Sequence, residues 1–138
     1  MRYSNEKELY NALRQQLIPD LLSYKTQYST YDCFSEDLNM QIELKCRRRH
    51  YDELMIERSK WDRLLSESKA NGTRSIYLNS TPEGVWAFDL NHLEKANNLV
   101  WSFKTLPVKT QWDKGQTKRK EVSYLHISMG KDITDMLL

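Results

Sequence analysis

Between Leu38 and Cys46 every second residue is apolar: Leu38, Met40, Ile42, Leu44 and Cys46 alternate with Asn39, Gln41, Glu43 and Lys45. Successive side chains on an extended strand point to opposite faces, so this run predicts a strand with one face in a core and a polar face that continues to Arg47. Upstream, Lys25 to Phe34 is rich in Tyr and Thr, and Ser35, Glu36, Asp37 and Leu38 supply turn residues, which predicts a hairpin. A turn through Glu36-Asp37 sets Asp32 opposite Gln41 and Glu43 opposite Thr30. The two carboxylates then share a face as diagonal neighbours, roughly 7 to 8 Å apart at Cβ.

Helical spacing brackets this hairpin. Asn5 is placed to cap a first helix with Glu8 at the third helical position, and Leu9, Tyr10, Leu13 and Leu17 repeat at helical intervals up to about Ile18. A second helix is expected from Tyr51 to about Lys69, with Leu54, Trp61, Leu64 and Leu65 on one face and Asn71-Gly72 as its stop. Strands are expected at Ser75 to Asn79, at Val85 to Leu90 after the Thr81-Pro82-Glu83-Gly84 turn, and at Glu121 to Ser128, with a short helix at His92 to Asn98. Residues 98–120 fit no regular pattern. The order predicts an α/β protein, a mixed central sheet flanked by helices.

A length of 138 residues suits a single domain over 1–138. The apolar runs are too short for a membrane span, and the charged start MRYSNEKELYNALRQQ lacks the apolar stretch of a signal peptide, so a cytoplasmic chain without membrane contact is expected. Cys33 and Cys46 have neither Cys-x-x-Cys spacing nor nearby histidines, and read as small core residues rather than a disulfide or zinc framework. The net charge of +2 announces no polyanion partner, since 21 basic residues are balanced by 19 acidic ones. Local clusters say more: Arg47, Arg48 and Arg49 form one basic run and Lys118, Arg119 and Lys120 another, either phosphate contacts or a solvated charged rim.

Asp32 and Glu43 on one face can share a hard divalent cation, because Mg²⁺ takes oxygen ligands, commonly one or two carboxylates with water and phosphate oxygens. Lys45 points the same way as Glu43, and its ammonium can stabilise charge on an attacked phosphate or orient a water. Such a site hydrolyses phosphodiester bonds.

Asp32, followed by Glu43-Leu44-Lys45 at the end of an alternating strand, resembles the signature of the PD-(D/E)XK nuclease superfamily. That resemblance implies a restriction-endonuclease-like core over residues 5 to about 80: a helix, a three-strand meander bearing the motif, a crossing helix and a further strand, in α-β-β-β-α-β order. It further implies Asp32, Glu43 and the Leu44 carbonyl as ligands of Mg²⁺ or Mn²⁺, with Lys45 as the catalytic lysine. Tyr31 stands where the proline of the signature would be. Members often add an acid early in the first helix. Glu6 shares the inward face of Leu9 and Tyr10 and is the candidate metal ligand, or else an acid favoured by the helix dipole. Members also often place a polar residue of the second helix in the site. Glu57 interrupts the apolar stripe there and is the candidate, or else a surface partner of Arg58 or Lys60.

DNA is the expected substrate, with Arg47, Arg48, Arg49 and Lys60 on its backbone and Lys118, Arg119 and Lys120 as a further contact. His50 reads as a DNA contact or an ordinary surface residue. Trp101, Phe103 and Trp112 stand among lysines and can stack on bases, although core aromatics are the favoured reading. The resemblance suggests a nuclease of bacterial or phage recombination, repair or DNA degradation, and a homodimer as one arrangement. The rival is a non-catalytic nucleic-acid-binding or assembly module on the same fold.

Overall fold

The computed structural model describes residues 3–23, 31–107 and 115–138. Its elements run α1 (Glu6–Gln16), β1 (Leu22–Ser23), β2 (Cys33–Ser35), β3 (Met40–Cys46), β4 (Glu53–Glu57), α2 (Arg58–Asn71), β5 (Arg74–Thr81), β6 (Gly84–Asp89), α3 (Leu90–Ala96), β7 (Ser102–Pro107), β8 (Thr117–His126) and β9 (Lys131–Asp132), with 3-10 turns at Ile127–Met129 and Thr134–Leu137. A six-stranded sheet has the order β1-β2-β3-β5-β6-β9, in which β3 and β5 are parallel and the other pairs antiparallel. A second, antiparallel sheet has the order β4-β8-β7.

Alternation along the large sheet separates two cores. Ile42 and Leu44 of β3, Ile76 and Leu78 of β5 and Val85 of β6 pack with Leu9 and Leu13 of α1 and with Ile133 and Leu137 near the C-terminus. On the other face, Tyr77, Trp86 and Phe88 meet Trp61, Leu64 and Leu65 of α2, Leu90 and Leu93 of α3, and Leu54, Ile56 and Leu125 of the small sheet. Period two in the strands and period 3.6 in the helices thus bury complementary faces, and apolar burial at about 25 cal/mol per Å² drives the assembly.

The start of α1 follows its sequence: the Asn5 side chain accepts from the Glu8 N–H at 2.9 Å, while the Glu8 carboxylate accepts from the Ser4 N–H at 2.8 Å. The hairpin differs in register. Cys33 pairs with Ile42 and Ser35 with Met40, because the turn spans residues 36–39 rather than pivoting on Glu36-Asp37. Asn39 closes it at φ +53°, a left-handed conformation that Asn tolerates, and donates from Nδ2 to the Gly72 carbonyl at 2.8 Å. Leu38 therefore lies in the turn, 47% exposed, and not on the strand. Pairing is displaced by two residues from the expected one, an even number, so Asp32 and Glu43 keep the same face. Most of the expected Tyr/Thr-rich first strand lies outside the described residues.

The second helix is shorter than expected. It begins at Arg58, and Glu53–Glu57 is instead a strand pairing with β8 from Glu53 opposite His126 to Glu57 opposite Val122. Leu54 and Ile56 are buried while Glu53 is exposed, the alternation of a strand. The apparent stripe from Leu54 to Trp61 was two elements read as one. Gly72 ends α2 in the left-handed conformation at φ +66°, as its place after Asn71 predicts. The unassigned stretch supplies β7 and the first part of β8, while Trp112 lies outside the described residues.

Candidate active site

Asp32, Glu43, Leu44 and Lys45 line one cleft of about 580 Å³, and Glu6, Arg47, Met55, Glu57, Lys60, Arg63 and Tyr77 complete its wall. Its walls come from β3 and β5 of the large sheet, β4 of the small one, and α1 and α2. Asp32 sits just before β2, and its Oδ2 accepts the Leu44 N–H at 2.8 Å. In an extended strand the N–H and C=O of one residue point to the same edge, so the Leu44 carbonyl also faces the Asp32 side. Glu43 and Lys45 alternate with buried Ile42 and Leu44 and therefore project together from the opposite face. Gln41 shares that face but is sealed beneath α2, donating to the Leu64 carbonyl and accepting from the Thr73 hydroxyl, both at 2.9 Å. Only the C-terminal half of the polar face reaches the cleft.

Glu43 is the electrostatic centre of the site. Burial pushes its carboxyl from 4.5 to about 7, the Lys60 hydrogen bond opposes this, and repulsion from Asp32 raises it further. Lys60 Nζ donates to Glu43 Oε2 at 2.6 Å. A desolvated acid held beside a second acid favours a proton or a cation between them. The donors are all hard oxygens, so Asp32, Glu43 and the Leu44 carbonyl fit Mg²⁺ or Mn²⁺. Among the described residues no three of His, Cys, Asp and Glu converge as a metal cage, so Glu6 lines the cleft without closing a three-carboxylate cluster.

The raised value has a measurable consequence. Glu43 takes up its proton more readily folded than unfolded, so the metal-free protein loses stability as pH rises from about 4.5 to about 7 and stays lower above that. The Glu43 side chain is only 12% exposed, so solvent screens little of this. Urea unfolding in chelator should show Glu43→Gln gaining on the order of 2 kcal/mol over the native chain between about pH 5 and about pH 8. Parallel pH profiles for the two proteins would contradict a desolvated acid at this position.

Other expected site residues are placed differently. Arg47 turns inward: Nε donates to Asn79 Oδ1 and Nη2 to the Met55 carbonyl, both at 2.7 Å, and Nη2 also to the Tyr77 hydroxyl at 3.3 Å. Its guanidinium is held by the protein within the cleft wall and ties β4 to β5. Arg48 and Arg49 remain exposed. Glu57 accepts from Lys120 Nζ at 2.8 Å. His50 lies against Trp86, with Nδ1 2.9 Å from the Thr81 hydroxyl and Nε2 3.0 Å from Asp52, a structural setting. Arg119 stacks on Phe103 at 4.7 Å, and Lys118 is exposed on β8.

Sequence reasoning placed Lys60 on DNA and missed its pairing with Glu43. The signal was present, since Lys60 precedes buried Leu64 by one helical turn and so shares its inward face. Tyr77 was also missed. It lies opposite Glu43 in the parallel register, and burial pushes its phenol above the usual range.

No family model and no curated protein matches the chain. Among solved structures it is similar to Hjc, a Holliday junction resolvase from the archaeal hyperthermophile Archaeoglobus fulgidus, with a TM-score of 0.58 and 12% identity over 98% of this chain and 96% of that one. The likeness extends over almost the whole length of both chains. The chain has the restriction-endonuclease-like fold, the fold of the PD-(D/E)XK superfamily whose signature Asp32 and Glu43-Leu44-Lys45 resemble.

Proposed function

We propose that the chain, as one domain, is a Mg²⁺- or Mn²⁺-dependent deoxyribonuclease. The observation that carries this reading is the convergence of Asp32, Glu43 and Lys45 on one cleft whose central acid is desolvated beside a second acid. Asp32, Glu43 and the Leu44 carbonyl would hold the ion, and Glu6 of α1, in the same cleft, would be a further ligand. A bound divalent ion supplies Lewis-acid polarisation of a phosphoryl oxygen and acidifies a water. Lys45 places a positive charge beside the attacked phosphate. Lys60 opposes the upward shift of Glu43 and so favours the ionised form that a metal needs. Glu57, paired with Lys120, lines the same cleft and is the second-helix-side candidate for a contact with metal-bound water.

The fold neighbour is a Holliday junction resolvase, which supports DNA as the substrate; recombination, repair or DNA degradation in a bacterial or phage-infected cell is the setting that goes with this reading. No helix among the described residues is long and apolar enough to cross a membrane. Pairing of two copies would let two clefts address two strands. Supercoiled, linear, single-stranded and four-way-junction DNA should be cut in Mg²⁺ and left whole in chelator. Identical patterns with and without the metal would reject the reading.

One observation favours the rival, a DNA-binding module without hydrolysis: Lys60 neutralises Glu43 within the protein. A metal titration separates the two readings. The nuclease binds Mg²⁺ or Mn²⁺ through Asp32 and loses that binding in Asp32→Asn, while the rival shows no such difference.

A further inference from the structure

The β7–β8 hairpin has two faces of different character. Lys104 stands opposite Lys120 and Leu106 opposite Lys118 on one face, and Phe103 opposite Glu121 and Thr105 opposite Arg119 on the other. The first face runs into the cleft. Along β8 it continues to Val122 and Tyr124, which stand opposite Glu57 and Met55, and both of those partners line the cleft. The second face runs instead into the core through Ser123 and Leu125, opposite Ile56 and Leu54. Lys120 marks the junction, bonded to Glu57 at 2.8 Å.

Lysines at 104, 118 and 120 therefore extend the cleft's own face outward. Like charges directly opposite each other repel, so the Lys104–Lys120 pair costs stability unless an anion lies across it. Lys120 has Glu57, and Lys104 lies 4.5 Å over the Tyr124 ring, while Lys118 is exposed to water. Lys118 and Lys120 are two strand residues apart, about 7 Å, so the two ammoniums can neutralise separate phosphates of one DNA strand. Lysines on an edge strand also block aggregation, but that purpose places no demand on which face carries them.

We propose that this face of the ribbon is a rail for the DNA backbone, leading phosphates out of the cleft, with Lys104 and Lys118 as its contacts and Arg119 outside it. The inference rests on DNA as the partner and adds where the strand runs. The test is anisotropy of a fluorescent duplex in chelator, so that nothing is cut, across roughly 50 to 200 mM salt. The double variant Lys104→Gln/Lys118→Gln should bind about tenfold more weakly, and the magnitude of its salt slope should fall by about 1.8, or 0.9 per lost phosphate contact. Its unfolding midpoint should not fall below that of the native chain, since a repulsive pair is relieved, and Arg119→Gln should keep the native slope. An unchanged slope in the double variant, or an equal loss in Arg119→Gln, overturns the rail. A native chain that binds no DNA overturns it together with the nuclease reading. Loss of slope without any metal-dependent cutting leaves the rail standing and removes the nuclease alone.

Discussion

Lys45→Ala should cut supercoiled DNA about 1000-fold more slowly than the native chain in saturating Mg²⁺, because one preorganised charge at the attacked phosphate contributes about 3 to 4 kcal/mol to the transition state. Period two puts Lys45 on the Glu43 face, and it lines the cleft beside Glu43 and Asp32. It stands opposite Asn79 in the parallel register, so its backbone is held by two central strands and the substitution should not move the acids. The expected stability cost is about 1 kcal/mol or less. Asp32→Asn is the companion variant. It retains an oxygen that can accept the Leu44 N–H but removes a charge, so it should lose metal affinity as well as rate. Relaxation of plasmid in Mg²⁺, with thermal unfolding as the control, measures both variants. Native-level cutting by a folded Lys45→Ala protein would remove this lysine from the chemistry.

How far the site was legible in the sequence is clearest at β3. Its alternation specified the face of each residue, and the hairpin loop specified the partners. The loop was misjudged, since four residues form the turn where two were expected. A displacement of one residue would have sent Asp32 to the apolar side; the actual displacement of two preserved the shared face. The parallel partner of β3 depended on the α2 crossover, which the Asn71-Gly72 stop and the following Ser75 to Asn79 run had indicated.

Glu53–Glu57 shows why other parts were not legible. Leu54 and Ile56 fit a strand, yet Leu54 also falls seven residues before Trp61, a helical interval. Periodicity over five residues cannot choose between the two. Pairing with residues 122–126 of β8 decides it, and those partners are more than sixty residues downstream, so the deciding interaction is invisible to any local window. Arg47 is a case of the same kind. It sits in a basic run that suggests phosphate contacts, and its actual partners are Asn79, Tyr77 and the Met55 carbonyl, which the fold alone brings together.

Arg47→Met should therefore be a stability variant and not a DNA-binding one. Methionine keeps the apolar stem but offers no donors. Removing the guanidinium leaves the Met55 carbonyl and Asn79 Oδ1 without their charged partner, and Asn79 Nδ2 is already buried without a hydrogen bond among the described residues. Bonds to a charged donor contribute about 1.5 to 3 kcal/mol each and are not additive, so a loss of about 3 kcal/mol is expected. For a chain of this size that lowers the thermal midpoint by roughly 10 °C. Arg48→Gln and Arg49→Gln, at exposed neighbouring positions, should stay within about 0.5 kcal/mol of the native chain. The contrast tests the inward orientation directly: a guanidinium serving phosphates would leave the unfolding midpoint of Arg47→Met where it was, whereas one that ties β4 to the large sheet makes this the least stable of the three.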